Sequence, residues 1–242
     1  MNYKLNISYD GTDFSGWQIQ PNARTVQGDL QMAINSVFNN DEINLCGSGR
    51  TDAGVHALNQ IANFNIDTKM SVQQIKNALN SKLPNDIFIN NCSKVDDSFN
   101  ARFSAKNRHY IYKISTEYSP LHRKYFWHLS YDLDKSKLEE CSKFLLGKHD
   151  FKNYSKASSE KENCSCIVKH ASWIFDEKFI YFKIEANRFL HHMVRMLVGT
   201  MIEVAKGSLC MNNFKEMLLC NEDKSRIVTS PAYGLYLDKI EY

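Results

Sequence analysis

Two periods of apolar residues alternate along this chain, and their order limits the fold more than any other feature. Tyr3–Tyr9 alternates apolar and polar side chains, as a half-buried strand does. Val26, Leu30, Ala33, Ile34 and Val37 then recur at helical spacing behind Thr25, a residue type that caps helices. Ile43–Cys46 and Gln60–Ile66 read as strands, with Ala62, Phe64 and Ile66 on one face of the second. Ser71 can cap a helix carrying Ile75, Ala78 and Leu79, and Ile87–Val95 reads as a further strand. The order is β-α-β-β-α-β, the split pattern that makes an antiparallel sheet backed by helices.

The second half repeats that order with insertions. His109–Thr116 reads as a strand, with Tyr125–Leu129 as a possible extension of the sheet. Asp134 can cap a helix running through Leu138, Cys141, Phe144 and Leu145 to a stop at Gly147. The stretch His149–Cys166 reads as a loop, and Ile167–Phe175 with Phe179–Ala186 as a hairpin. The spacing predicts a long helix from about Arg188 to Lys206, a shorter one over Met211–Cys220, and a closing strand over Gly234–Glu241. The expected division is residues 1–107 and 108–242. Two such halves can join edge to edge into one sheet with a cleft at the junction.

Composition narrows the class. Hydrophobic residues are 43% and charged residues 24% of 242, an ordinary globular balance. No apolar run reaches the ~20 residues of a membrane span, and no basic-apolar leader opens the chain. Seven cysteines without a CxxC pair suit reduced thiols in a cytoplasm. Net charge is only +3, but it is unevenly spread. Between residues 102 and 128, Arg102, Lys106, Arg108, Lys113, Arg123 and Lys124 face one acid, Glu117. Phe103, Tyr110, Tyr112, Tyr118, Tyr125, Phe126 and Trp127 interleave with them. Cations attract phosphates and rings stack on bases, so the stretch suits nucleic acid; it also suits an amphipathic hairpin with a solvated lysine face.

Two segments concentrate chemistry. Gly47-Ser-Gly-Arg-Thr-Asp-Ala-Gly-Val-His56 holds three glycines and places Asp52 two residues from Arg50. A guanidinium held beside Asp52 in a cleft would keep that carboxyl ionised; the plainer reading is an Asx-type turn. On the predicted long helix, Arg188, His191, His192, Arg195 and Lys206 share an arc of ~100°, opposite a broad apolar arc.

These residues carry a resemblance. The chain resembles the tRNA pseudouridine synthase A (TruA) family nearly end to end. Tyr9-Asp-Gly-Thr-Asp-Phe-Ser-Gly-Trp-Gln-Ile-Gln-Pro-Asn22 with Thr25-Val-Gln27 looks like its amino-terminal signature, and Gly49-Arg-Thr-Asp-Ala-Gly-Val-His-Ala57 matches its active-site motif. Phe99-Asn-Ala-Arg-Phe-Ser-Ala105, Arg108-His-Tyr-Ile-Tyr112, Asn187-Arg-Phe-Leu-His-His-Met-Val-Arg195 and Gly234-Leu-Tyr-Leu237 match later blocks in order. The resemblance implies an α+β fold: two ferredoxin-like halves in a mainly antiparallel central sheet, helices packed on it, the catalytic cleft between the halves. It implies a homodimer that converts uridine to pseudouridine at positions 38, 39 and 40 of the tRNA anticodon stem-loop, without cofactor or metal.

By motif position the resemblance makes Asp52 the nucleophile, Arg50 and Arg195 the cleft guanidiniums, and Tyr110 the ring beside the target uracil. Val55, Leu235 and Leu237 become candidates for the apolar lining. Arg24, Lys106, Arg108, Arg123, Lys124, Arg188, His191 and His192 become candidate RNA contacts. One departure stands out: Cys164-Ser-Cys166 occupies the place where the family has a basic residue, leaving Lys161 or Lys169 to supply a phosphate contact. Two other readings compete with the synthase, a catalytically idle RNA-binding or RNA-folding protein and a hydrolase using Asp52 and His56 on a metal.

Overall fold

A computed structural model describes residues 1–156, 163–219 and 226–242. The first half runs β1 (Asn2–Tyr9), α1 (Val26–Phe38), β2 (Cys46–Gly47), β3 (His56–Asn65), α2 (Val72–Asn80) and β4 (Ile87–Val95). The second runs β5 (Asn107–Ser115), β6 (Trp127–His128), α3 (Lys135–Phe144), β7 (Gly147–Asp150), β8 (Ser165–Phe175), β9 (Phe179–Ala186), α4 (Met193–Ala205), α5 (Met211–Leu218) and β10 (Leu235–Glu241). Contacts divide the chain into Met1–Lys106 with Tyr236–Tyr242, and Asn107–Leu235. The last seven residues, grouped by sequence with the second half, therefore belong to the first unit. None of the described helices is long and apolar enough to cross a membrane.

In the first unit β1 lies between β4 and β3, antiparallel to both. The far edge of β3 is shared: β2 pairs antiparallel with Ala62 and Asn63, and β10 pairs parallel with His56 and Ala57. Val26, Leu30, Ala33 and Ile34 of α1 form the buried stripe that their spacing requires. Thr25 accepts from Gly28 N, and Ser71 with Gln74 closes a capping box on α2. The apolar face of β4 changes parity, Ile87 and Ile89 but Cys92, because the β1–β4 register shifts between Asn6 and Ile7. The expected strand at Ile43–Cys46 shrinks to Cys46–Gly47: Ile43 and Leu45 are buried, but their backbone polar groups bond to Gln31 and Gln27 side chains.

In the second unit β9 lies between β5 and β8, and β7 pairs with β8. β6 runs parallel to β5, so the basic stretch is not a hairpin. Asp134 caps α3 through Ser136 N and Lys137 N as its position suggested. Two expectations need correction. His149–Cys166 is not all loop, since β7 and a 3-10 turn at Lys152–Tyr154 occupy part of it. The long helix starts at Met193, five residues later than its apolar spacing implies. Tertiary partners claim the backbone ahead of it: Asn187 N donates to Ile167 O, Lys156 N to His191 O, and Arg108 Nη1 to Asn187 O. α5 is observed through Leu218; Cys220 lies outside the described residues.

Candidate active site

In the first unit the loop carrying Asp52 is stitched to the β1–α1 connection by backbone bonds. Trp17 N donates to Thr51 O at 3.1 Å and Gly54 N to Phe14 O at 3.2 Å. Gly16 makes the first approach possible: its φ is +95°, and a Cβ there would lie 2.6 Å from Thr51 O. Tyr9 Oη and Thr51 Oγ1 meet at 2.8 Å in the core. Burial holds the Tyr9 phenol well above its ordinary pKa, so it stays neutral. Ser48 Oγ lies 2.5 Å from Gln60 Oε1, and Gln60 Nε2 donates to Gly49 O. Both ends of the loop are thus anchored on either side of Asp52.

Asp52 itself is half-buried in a turn closed by Val55 N donating to Asp52 O at 3.2 Å, with Gly54 at φ 77°. The turn is closed through the main-chain carbonyl of Asp52, and it is what presents the carboxylate. Arg50 is exposed and its Nε donates to Gln18 Oε1 at 3.2 Å. Val55 and Leu237 are buried, Leu237 opposite Ala57 in the β3–β10 ladder. His56 is only 2% exposed, stacks on Tyr236 at 4.6 Å, and accepts from Gly11 N through Nδ1. That bond ties the imidazole to the β1–α1 turn.

Arg24, a candidate RNA contact, is paired within the protein. Its guanidinium makes a two-point bond to Asp86, at 2.8 and 2.9 Å, and a third to Asp29. It also lies over the Phe14 ring at 4.1 Å. Two carboxylates oppose its charge, and the Asp86 bond raises its pKa. Lys106 is exposed.

In the second unit Tyr110 lies on β5 opposite Ile184, half-buried, its ring at right angles to Phe189 at 5.1 Å. Tyr112 is fully buried, and its Oη donates to Pro231 O at 2.7 Å. Arg195 sits in the first turn of α4 and donates from Nε to Ser230 O at 2.9 Å. A cation there works against the helix dipole by ~0.3–1 kcal/mol, so the position is not chosen for helix stability. Arg188, His191 and His192 lie ahead of α4, so the proposed helical arc does not exist. Arg188 Nη1 reaches Asn163 O, the two imidazoles meet at 4.3 Å, and His192 takes a left-handed φ of 65° as the residue before the helix. Leu235 is buried; Arg123 and Lys124 are exposed in the β5–β6 loop, Arg123 donating to Pro120 O. Cys164 and Cys166 point into the core, and burial pushes the Cys166 thiol up to about 11. Lys169 is exposed; Lys161 lies outside the described residues.

Comparison with known proteins gives the family. The tRNA pseudouridine synthase family model matches residues 6–104 and 142–242. The chain belongs to that family. The tRNA pseudouridine synthase A of Thermoanaerobacter sp. (strain X514) is 41% identical over 243 residues, covering 100% of this chain and 99% of the relative. That of Brachyspira hyodysenteriae is 41% identical over 240 residues, 97% and 96% of the two chains. The tRNA pseudouridine synthase A 2 of Bacillus anthracis is 39% identical over 244 residues, 100% and 99%. Among solved structures, a chain of the archaeal box H/ACA sRNP Nop10–Cbf5 complex aligns with 84% of this chain and 43% of its own length, at 10% identity and TM-score 0.42.

Sequence reasoning about the family motif missed the supports around it. Tyr9, Trp17, Thr51 and Gln60 hold the loop by hydrogen bonds. One signal was available for Tyr9, the last apolar-face residue of an alternating strand that runs straight into the signature turn.

Proposed function

We propose that this chain isomerises uridine to pseudouridine in tRNA, with Asp52 as the nucleophile. The proposed targets are positions 38, 39 and 40 of the anticodon stem-loop, and the working form is a cytoplasmic homodimer without cofactor or metal. One observation carries the reading: Asp52 of the family motif is presented by a clamped turn in a chain 41% identical to a tRNA pseudouridine synthase A along its length.

The reaction breaks the glycosidic bond between C1′ and N1, turns the uracil, and joins C5 to C1′. An ionised carboxylate serves it by attacking or stabilising the electron-poor C1′, as in retaining glycosidases, or by assisting removal of a ribose proton. The uridine leaves its stack at a cost of a few kcal/mol, and an aromatic ring, assigned to Tyr110, replaces the lost stacking. Arg195 and Arg50 are assigned as guanidiniums for the substrate, and Val55, Leu235 and Leu237 as the apolar lining that retains the detached base. Lys106, Arg108, Arg123, Lys124, Arg188, His191 and His192 are proposed to face the RNA.

Asp52→Asn keeps the size and removes the charge. Product formation, read by pseudouridine mapping of tRNA, is expected to vanish while tRNA affinity stays within about tenfold, or ~1.4 kcal/mol. Substantial product from the variant would remove Asp52 from the mechanism, and no product from the unaltered protein would remove the activity.

A further inference from the structure

The aromatic residues between 102 and 128 are not equivalent. Tyr112 is core, Phe126 packs on His122 and Phe179, and Trp127 packs on Tyr112. Phe103 is 80% exposed. A lone exposed apolar side chain is ordinary on a protein surface, but this one is held in a closed turn. Asn100 Oδ1 accepts from both Arg102 N and Phe103 N, Ser104 N returns to Asn100 O, and Asn100 N donates to Ser104 Oγ. Below the turn, Asn63 Oδ1 accepts from Ala101 N, and Asn2, fully buried, donates to Asp96 O and Phe99 O. Tyr242 Oη closes the other side on Ala101 O. The backbone that carries the ring is thus fixed by polar contacts that owe nothing to the ring itself.

Cations stand close to it. The Arg102 guanidinium lies 5.5 Å from the Phe103 ring centre. Lys106 is exposed three residues on, and Lys4 lies over the Phe99 and Tyr242 rings that flank the turn. Of the nearby carboxylates, Glu241 is paired with Lys239, while Asp96, held ionised by its bonds from Ser98, and exposed Asp97 lie at the far end of the turn, before Phe99. An exposed ring on a fixed backbone, with a guanidinium beside it and an exposed lysine three residues on, has the chemistry of a single-stranded nucleic-acid surface, ring for base and cations for phosphates.

We propose that Phe103 is a stacking platform for an unpaired base of the RNA substrate, with Arg102 and Lys106 on the adjoining phosphates. The assignment rests on the proposed function and adds a contact to it. Its test is clean because an 80% exposed side chain can be replaced without opening the core. Affinity for unmodified tRNA is expected to fall about tenfold in Phe103→Ala and Phe103→Leu, within the usual range for one base-ring stack, and to be kept in Phe103→Trp. The loss should be the same at low and high salt for Phe103→Ala, whereas Arg102→Gln should flatten the salt slope by about one. The rate at saturating tRNA should not change. Unaltered affinity in Phe103→Ala would overturn the proposal, as would a change in the protein's sedimentation mass, which would make the ring a contact between protein copies. The unaltered protein still forming pseudouridine in either case would leave the synthase reading standing.

Discussion

Tyr110 and Tyr112 share a strand and a face, yet they face different tests. Tyr112 is enclosed, with its hydroxyl on Pro231 O and its phenol held neutral by burial. Tyr112→Phe removes that donor and should cost about 1–3 kcal/mol of stability, the penalty of a buried carbonyl left unpaired. Tyr110 is half-buried against the edge of Phe189. If its hydroxyl moves a proton, Tyr110→Phe should lower turnover by roughly 10²–10⁴-fold with tRNA binding intact. Chemical denaturation and single-turnover rates on both variants separate the two outcomes. Equal rate losses would leave no reason to assign Tyr110 to the site. At this scale the motif residues were legible because their types are unusual together. The pairing of Arg24 was only half legible: Asp29 is five positions away on the same stretch, whereas Asp86 is 62 positions away and shows itself only in the fold.

Elements follow their caps closely. Thr25 illustrates the coupling of an element to the site: it caps α1, while Val26 N and Gln27 N bond to Gly16 O and Trp17 O of the clamped connection. Thr25→Ala should destabilise the fold by about 1 kcal/mol, and Thr25→Ser should keep most of it, since the hydroxyl is the cap. Urea unfolding midpoints measure this, and equal midpoints for Ala and Ser would show that the hydroxyl does not hold the helix. α4 shows where periodicity fails. Phe189 and Leu190 continue its apolar pattern towards the N-terminus, but the carbonyls of Asn187 and His191 are taken by Arg108 and Lys156. The backbone stops it as well: His192 takes a left-handed φ of 65°, which a right-handed helix cannot pass through.

For the whole molecule, tRNA binding should weaken steeply with salt, because each phosphate neutralised releases counterions. Replacing Arg123 and Lys124 together by Ala should lower affinity and flatten the slope by up to about two, with the rate at saturating tRNA nearly unchanged. An unchanged slope would make these residues a solvated loop. The order of elements, the α+β class, the helix caps and the motif that carries Asp52 were all determined by the sequence, since each depends on residue type and near spacing. Tertiary structure decided the rest. It put Tyr236–Tyr242 beside β3, set β6 parallel to β5, started α4 at Met193 and turned the Arg50 guanidinium towards Gln18. Each of these turns on which distant group satisfies a backbone or side-chain hydrogen bond, and periodicity along the chain carries no record of that choice.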